Sequence, residues 1–208
     1  MDYQEYLKEA KNIVAILDFD GHHVDRSFVP KELALKGLGN ELVFSCFFFH
    51  NKPLSSKDQR TANWVYHNIF DIRYNKYWFG MLKPSAIENV LQAVQKQGDI
   101  LLDTNPWYVA YKGGHYERDI LRKLNIPSLN LELIGCPKVE AITPLTSIHG
   151  CGKHRSSKSH CPAKEVQLFQ QWLEETMDFY HLPLNYSDFK MKNPMCFVNK
   201  EDFAVKLY

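Results

Sequence analysis

Residues 149–166, HGCGKHRSSKSHCPAKEV, concentrate metal-binding and basic side chains in one short segment. Cys151 and His154 have C-x-x-H spacing, and Cys161 follows after six further residues. Thiolate and imidazole groups are the ligands that zinc prefers, and a structural zinc takes four protein ligands. The spacing therefore predicts three zinc ligands in this segment. From the residues alone, the fourth ligand stays open among Glu32, His149, Cys136 and His160.

A second set of candidate residues is acidic. Asp18 and Asp20 follow the apolar run NIVAIL and precede Gly21. Because side chains alternate along a strand, the two carboxylates are expected on one side of it. Paired acids repel each other, and a hard divalent cation with oxygen ligands is the usual compensation. The simpler alternative is a pair of turn-forming aspartates at the end of a strand.

Composition limits the classes of protein that remain. The chain has 208 residues, 45% of them hydrophobic and 24% charged, which is typical of one globular domain covering 1–208. Five cysteines, an odd number, do not indicate a disulfide framework. A net charge of +1 provides no global field for nucleic acid, so any such partner requires a local basic patch. No apolar run is long enough for a bilayer, and the start does not suit a signal peptide, which predicts an intracellular protein without a membrane partner.

The first half of the chain predicts the strands that would carry the acids. Apolar and β-branched runs predict strands at 12–21, 27–38 and 41–50, which together form a three-stranded meander. The third run is almost unbroken in its apolar character, so we expect a central strand there. The segment 51–83 and the tail after residue 182 carry no clear pattern.

The second half predicts alternating strands and helices. A helix is expected at 83–99, with Gly98 at its end. The remaining predicted elements are strands at 99–104 and 107–114 and helices at 115–127 and 163–180. This order predicts an α/β domain in which helices flank a mixed β-sheet.

The motifs in this order resemble those of the DEDDh 3′–5′ exonucleases of the RNase H-like superfamily. The matching segments are LDFD, YVAYKGGHYERDIL and HCPAKEV, and the matching residues are Asp18, Asp20, Glu117, His160 and Glu165. The resemblance spans about residues 12–180 and implies an RNase H-like sheet, carboxylates that hold two Mg or Mn ions, and a histidine that deprotonates the attacking water. Asp20 is shorter than the acid of the family pattern, and Glu117 and Glu165 are longer. These differences favour a weakened or inactive nuclease.

A second resemblance is to the Maelstrom domain, a relative of the same nucleases in germline small-RNA silencing proteins. It rests on FVPKELAL at 28–35 and CGKHRSSKSHC at 151–161. The resemblance implies that a structural zinc pins the second segment to the first, through Glu32, Cys151, His154 and Cys161. It also implies an RNA-binding or adaptor domain in piRNA-linked transposon silencing, located in the nucleus or cytoplasm, with the proteins of a silencing complex as partners.

Basic residues near these motifs are candidates for phosphate contacts with single-stranded RNA, namely Lys112, Lys153, Arg155 and Lys158. Exposed lysines that serve only solubility are the simpler explanation. Two alternatives to the silencing role remain. One is an active Mg- or Mn-dependent 3′–5′ exonuclease, and the other is a non-catalytic protein-interaction scaffold whose zinc only stabilises the fold.

Overall fold

A five-stranded mixed sheet forms the centre of the protein. The structure, a computed structural model, describes residues 2–101, 105–156 and 159–205. The strands are β1 Ile13–Val24, β2 Ser27–Gly37, β3 Phe44–Phe47, β4 Tyr108–Tyr111 and β5 Ser128–Asn130. Their order is β3-β2-β1-β4-β5, in which β1, β2 and β3 are antiparallel neighbours and β4 and β5 run parallel to β1. The predicted α/β architecture, a mixed sheet flanked by helices, is confirmed.

Within the described ranges, five α-helices surround this sheet. They are α1 Tyr3–Ala10, α2 Ser56–Val65, α3 Ala86–Leu101, α4 His115–Lys123 and α5 Pro162–Phe179. A π-helical turn at Tyr66–Phe70 extends α2. Short 3-10 turns lie at Leu131–Ile134, Val139–Ala141, Pro194–Phe197 and Lys200–Asp202. None of the helices in the described ranges is long and apolar enough to cross a membrane.

The two faces of the sheet pack against different helices. Leu17 belongs to the core cluster that includes Val90 of α3, whereas Ile16 belongs to the cluster that includes Phe169 of α5. Because strand side chains alternate, Asp18 and Asp20 lie on the same face as Ile16, towards α5. The first turn of α5 carries Glu165, so the topology directs these acids towards one another.

The acidic pair lies inside a strand, so the prediction that the first strand ends at residues 18–21 was wrong. β1 continues to Val24 through a bulge between Asp20 and Gly21. A Cβ atom at Gly21 would lie 2.2 Å from the carbonyl oxygen of Val29, which leaves room for glycine alone. The turn interpretation of the two aspartates is therefore also wrong.

The third strand lies at an edge of the sheet and not at its centre. Its apolar composition reflects the burial of this segment: Phe47 packs in a cluster with Phe70, and Phe48, directly after the strand, forms a backbone bridge with Leu82. Sequence composition reports how deeply a strand is buried, but it does not identify the neighbours of that strand.

The prediction of a strand at 99–104 was wrong where the structure describes it, because α3 continues to Leu101. Residues 102–104 lie outside the described residues. Gly98 does not end the helix. A Cβ atom there would lie 2.5 Å from the ring of Trp107, so this glycine admits a buried ring against the helix.

Segments without a predicted structure also build the core. The chain from 51 to 83 forms α2, the π-helical turn and a loop that packs beside β3. The strand β5, with three residues, was too short to predict. Phe189 and Met191 of the tail are buried in the cluster that contains α3.

Candidate metal centre and acidic cleft

Four predicted zinc ligands meet on one side of the sheet. Glu32 comes from β2, and Cys151, His154 and Cys161 come from the loop before α5, with Cys161 at the N-cap of that helix. One ligand atom from each residue lies within 4.8 Å of every other. Four ligands around a zinc ion at the usual bond lengths of about 2.0–2.3 Å are separated by less than this, so the set can close on one ion with small movements.

Hydrogen bonds orient His154 for metal binding. Its Nδ1 lies 2.6 Å from the carbonyl oxygen of Phe70, and its Nε2 lies 2.8 Å from Oε2 of Glu32. Because a carbonyl oxygen only accepts, Nδ1 carries the proton that is donated to Phe70, and Nε2 is directed at the ligand set. A backbone carbonyl behind the ring is a common second contact of zinc-bound histidine.

The chemistry of the four ligands fits zinc. Glu32 is 0% exposed, and its Oε1 is buried without a hydrogen-bond partner among the described residues. Burying such an oxygen is costly unless a cation or donor satisfies it. A hydrogen bond from Cys151, and another with His154, lower the pKa of the Cys161 thiol to about 3. A thiolate is the form that binds zinc, and two sulfur ligands favour zinc over magnesium or calcium.

The acidic residues form a second group beside this centre. Asp18 is 8% exposed, and its pKa is raised well above the usual range by burial and then by the charges of Glu165 and Glu117. Burial also raises the pKa of Asp20 to about 7 and raises the pKa of Glu117. Acids that repel one another in a buried cleft are typical of a divalent-cation site.

Local backbone features position the acids of the cleft. Oε1 of Glu117 accepts a hydrogen bond from the Phe19 backbone at 3.3 Å, which links α4 to β1. A Cβ atom at Gly114 would lie 1.5 Å from Oε2 of Glu117, so glycine at the N-cap of α4 makes room for this carboxylate. Oδ1 of Asp20 accepts the Gly21 backbone hydrogen bond at 2.7 Å.

His160 and Glu165 form a hydrogen-bonded pair at the edge of the cleft. Nδ1 of His160 lies 2.8 Å from Oε1 of Glu165, and this contact raises the pKa of His160 to about 9. The His160 side chain is 40% exposed, and its Nε2 lies 3.9 Å from Oε1 of Glu140. The positive charge of His160 lowers the pKa of Asp20, which burial raises.

The two groups are adjacent. Glu32 is the cross-strand partner of Asp20 in the β1–β2 register, and Cys161 directly follows His160 in the chain. Among the described residues, only the Glu32 set is compact enough to hold an ion as it stands.

The predicted basic residues do not form one group. Nζ of Lys112 lies 3.3 Å from Glu132, so its charge is compensated. Lys153 and Arg155 line a groove with Trp78, and Nζ of Lys153 lies 5.2 Å from the centre of the Trp78 ring. Lys158 lies outside the described residues.

Sequence reasoning missed two cations of the same groove, Arg73 and Lys76. The only sequence signal for them is the mixture of basic and aromatic residues in YHNIFDIRYNKYW, at 66–78. His22 follows the acids in sequence but does not face their cleft. Its ring is buried and bonds to the Ile72 carbonyl at 2.8 Å.

The strand order and the two adjacent sites thus define an α/β domain with a candidate metal centre. Protein I267L of African swine fever virus is similar in sequence. In the Tick/South Africa/Pretoriuskop isolate and the Badajoz 1971 strain, the identity is 34% over 73 residues, covering 31% of this chain and 27% of the relative. In the Tick/Malawi/Lil 20-1 isolate the identity is 29% over 105 residues, covering 47% of this chain and 36% of the relative. The chain thus matches about a quarter to a third of the length of these relatives.

A solved structure of the Mopeia virus exonuclease domain, described as fully depleted of manganese, is similar at a TM-score of 0.42 and 13% identity. The alignment covers 87% of this chain and 85% of that domain. No family model matches the chain.

Proposed function

We propose that this chain is a metal-dependent nuclease that hydrolyses phosphodiester bonds in the cleft at β1. The observation that supports the proposal is that four carboxylates and one histidine, from β1, α4, α5 and the loop before α5, lie close enough for their charges to shift the pKa values of one another. These residues are Asp18, Asp20, Glu117, Glu165 and His160. The side chains of Asp20, Glu117 and Glu165 differ in length from the DEDDh pattern, which argues against nuclease activity. The proposal gives more weight to the proximity of the five residues.

The residues have distinct roles under this proposal. The four carboxylates would hold divalent Mg or Mn ions, which when bound stabilise charge on the phosphate and activate water. Glu165 accepts the Nδ1 proton of His160, and Nε2 would take the proton of the attacking water once the charge of bound cations lowers the His160 pKa from its metal-free value of about 9. The Glu32 ligand set would hold zinc and keep the loop that carries His160 against β2.

The experiment is a nuclease assay on zinc-loaded protein with end-labelled single-stranded RNA and DNA, with and without Mn²⁺. We expect hydrolysis by the wild type, none by Asp18→Ala, and a rate about 100-fold or more lower for His160→Ala. Asp178→Ala changes an exposed acid of α5 outside the cleft and serves as the matched control. Absence of Mn²⁺-dependent cleavage by the wild type, or equal cleavage by Asp18→Ala, would overturn the proposal.

A second candidate is a Maelstrom-type RNA-binding or adaptor domain with an inactive cleft. The assembled Glu-Cys-His-Cys set favours it, because that ligand pattern is the one implied by the Maelstrom resemblance. Such a domain would act in the nucleus or cytoplasm with proteins of a piRNA-linked silencing complex. It would retain RNA in EDTA, with a steep salt dependence and no product formation.

A further inference from the structure

We infer that a groove beside the metal centre binds the backbone and unstacked bases of single-stranded nucleic acid, as the track that leads a strand to the acidic cleft. This inference rests on the proposed function and names its substrate class. We call the feature the basic groove. It has a volume of about 480 Å³, and its lining includes Tyr66, Arg73, Lys76, Trp78, Lys153 and Arg155.

Positive charge is concentrated in the basic groove although the whole chain carries only +1. Its four cations, Arg73, Lys76, Lys153 and Arg155, are exposed, and within the described ranges none of them forms an ion pair. The acid in the lining is Asp71. Its Oδ2 accepts the backbone hydrogen bonds of Arg155 and Ser156 at 2.5 and 2.9 Å, so the carboxylate organises the loop. Four cations around a groove fit a polyanion.

Aromatic rings alternate with these cations. The Arg73 guanidinium lies 4.9 Å from the centre of the Tyr66 ring, and Lys153 is similarly placed over Trp78. Phe79, directly after Trp78, is 96% exposed, and Trp64, at the end of α2, is 58% exposed. Rings beside cations bind bases by stacking, which requires bases released from a duplex. The chemistry therefore favours a single strand over a double helix.

Buried polar contacts hold the wall of the groove in place. Nζ of the fully buried Lys31 donates to the carbonyl oxygens of Tyr74 and Lys76, at 2.9 and 2.8 Å. His22 contacts the carbonyl of Ile72 from the same side. A wall fixed before binding loses little conformational freedom when a ligand arrives, which favours affinity.

The opposite wall depends on the candidate metal centre. Lys153 and Arg155 flank His154, so a metal that holds His154 also fixes the two cations. The backbone N–H of His160 donates to the Ile69 carbonyl at 2.9 Å, which joins the residue at the edge of the cleft to the segment that precedes the groove residues 71–78. Under the inference, a strand held in the groove continues towards the acids of β1.

Fluorescence anisotropy with labelled single-stranded RNA and DNA of about 12 nucleotides tests the inference. The zinc-loaded Asp18→Ala protein is used so that cleavage cannot intervene. The double variant Lys153→Glu/Arg155→Glu should raise Kd at least about tenfold. It should also reduce the slope of log K against log salt concentration by about 1.4, because each of the two lost phosphate contacts contributes about 0.7 to that slope. Trp78→Ala should weaken binding about fivefold or more.

The matched control is Lys8→Glu/Lys190→Glu, an equal change of charge at exposed lysines that do not line the groove. Zinc content and circular dichroism establish that each variant is folded. If the Lys153/Arg155 pair loses zinc, Arg73→Glu/Lys76→Glu decides the question, because neither residue adjoins a metal ligand.

Equal binding by groove and control variants would overturn the inference, and so would tighter binding of a duplex than of a single strand. Failure of the proposed function has a different signature. In that case the groove variants still lose binding while the wild type shows no Mn²⁺-dependent cleavage. If the wild type cleaves and the groove variants bind like the control, the nuclease proposal stands and the groove assignment fails.

Discussion

Zinc should stabilise this protein strongly, through the Glu32 ligand set. Without metal, Oε1 of Glu32 is buried without a partner among the described residues, which costs about 1–3 kcal/mol. One ion bound to the folded state adds RT ln(1 + [Zn]/Kd), about 2.7 kcal/mol when free zinc is 100 times Kd. A domain of this size gains about 2–4 °C in Tm per kcal/mol, so we expect a rise of about 5–11 °C over the metal-free protein. Differential scanning fluorimetry across a series of buffered zinc concentrations measures it.

Substitution of one ligand should remove most of this response. Cys161→Ser replaces a buried thiolate ligand, and a 100-fold weaker site would leave a rise of only about 1–2 °C at the same free zinc. Cys196→Ser, at an exposed cysteine outside the ligand set, should respond like the wild type. A wild type indifferent to zinc, or identical responses in both serine variants, would refute the reasoning. A zinc content other than one per chain would also refute it.

Two further predictions concern the cleft and the core. In metal-free protein, burial raises the pKa of Asp20 from 3.8 to about 7. The protonated carboxyl therefore contributes its full stability below about pH 4, and this contribution is lost as the pH rises to about 7. The free energy of unfolding falls by up to about 4 kcal/mol over this range. Urea unfolding should therefore show Asp20→Asn gaining on the wild type over this range, and a constant difference would contradict the raised pKa. Gly98→Ala should lower the free energy of unfolding by about 1–2 kcal/mol, because the clash with the buried Trp107 ring outweighs the gain in helix propensity. Gln92→Ala, at an exposed site on α3, should change the free energy of unfolding little. A Gly98→Ala variant more stable than the wild type would show that the Trp107 ring moves to accommodate the methyl group.

The sequence predicted the metal ligands better than the surfaces around them. Cys151, His154 and Cys161 are close in the chain, so their spacing alone identifies a ligand loop. Glu32 lies far from that loop in sequence, and only the family resemblance selected it from the four candidates for the fourth ligand. The structure brings it into the set because β2 pairs with β1 and the loop before α5 packs on the same face.

The basic groove shows the opposite case. Arg73 and Lys76 carry no motif, and the segment around them had no predicted structure. They meet Lys153 only because buried groups such as Lys31 and His154 bind the carbonyls of the 70–76 segment. Contacts of this kind join distant parts of the chain and leave no periodic trace in the sequence.

The sequence by itself determined the kinds of chemistry available to this protein, since ligand types, alternating strands and amphipathic helices are local properties of the chain. Tertiary structure decided which residues share a site. It placed β3 at the edge, extended β1 beyond Asp20, and set the candidate metal ligands beside the acids. The physical reason is that strand order and loop packing follow from long-range burial and hydrogen bonding, and these depend on the whole fold.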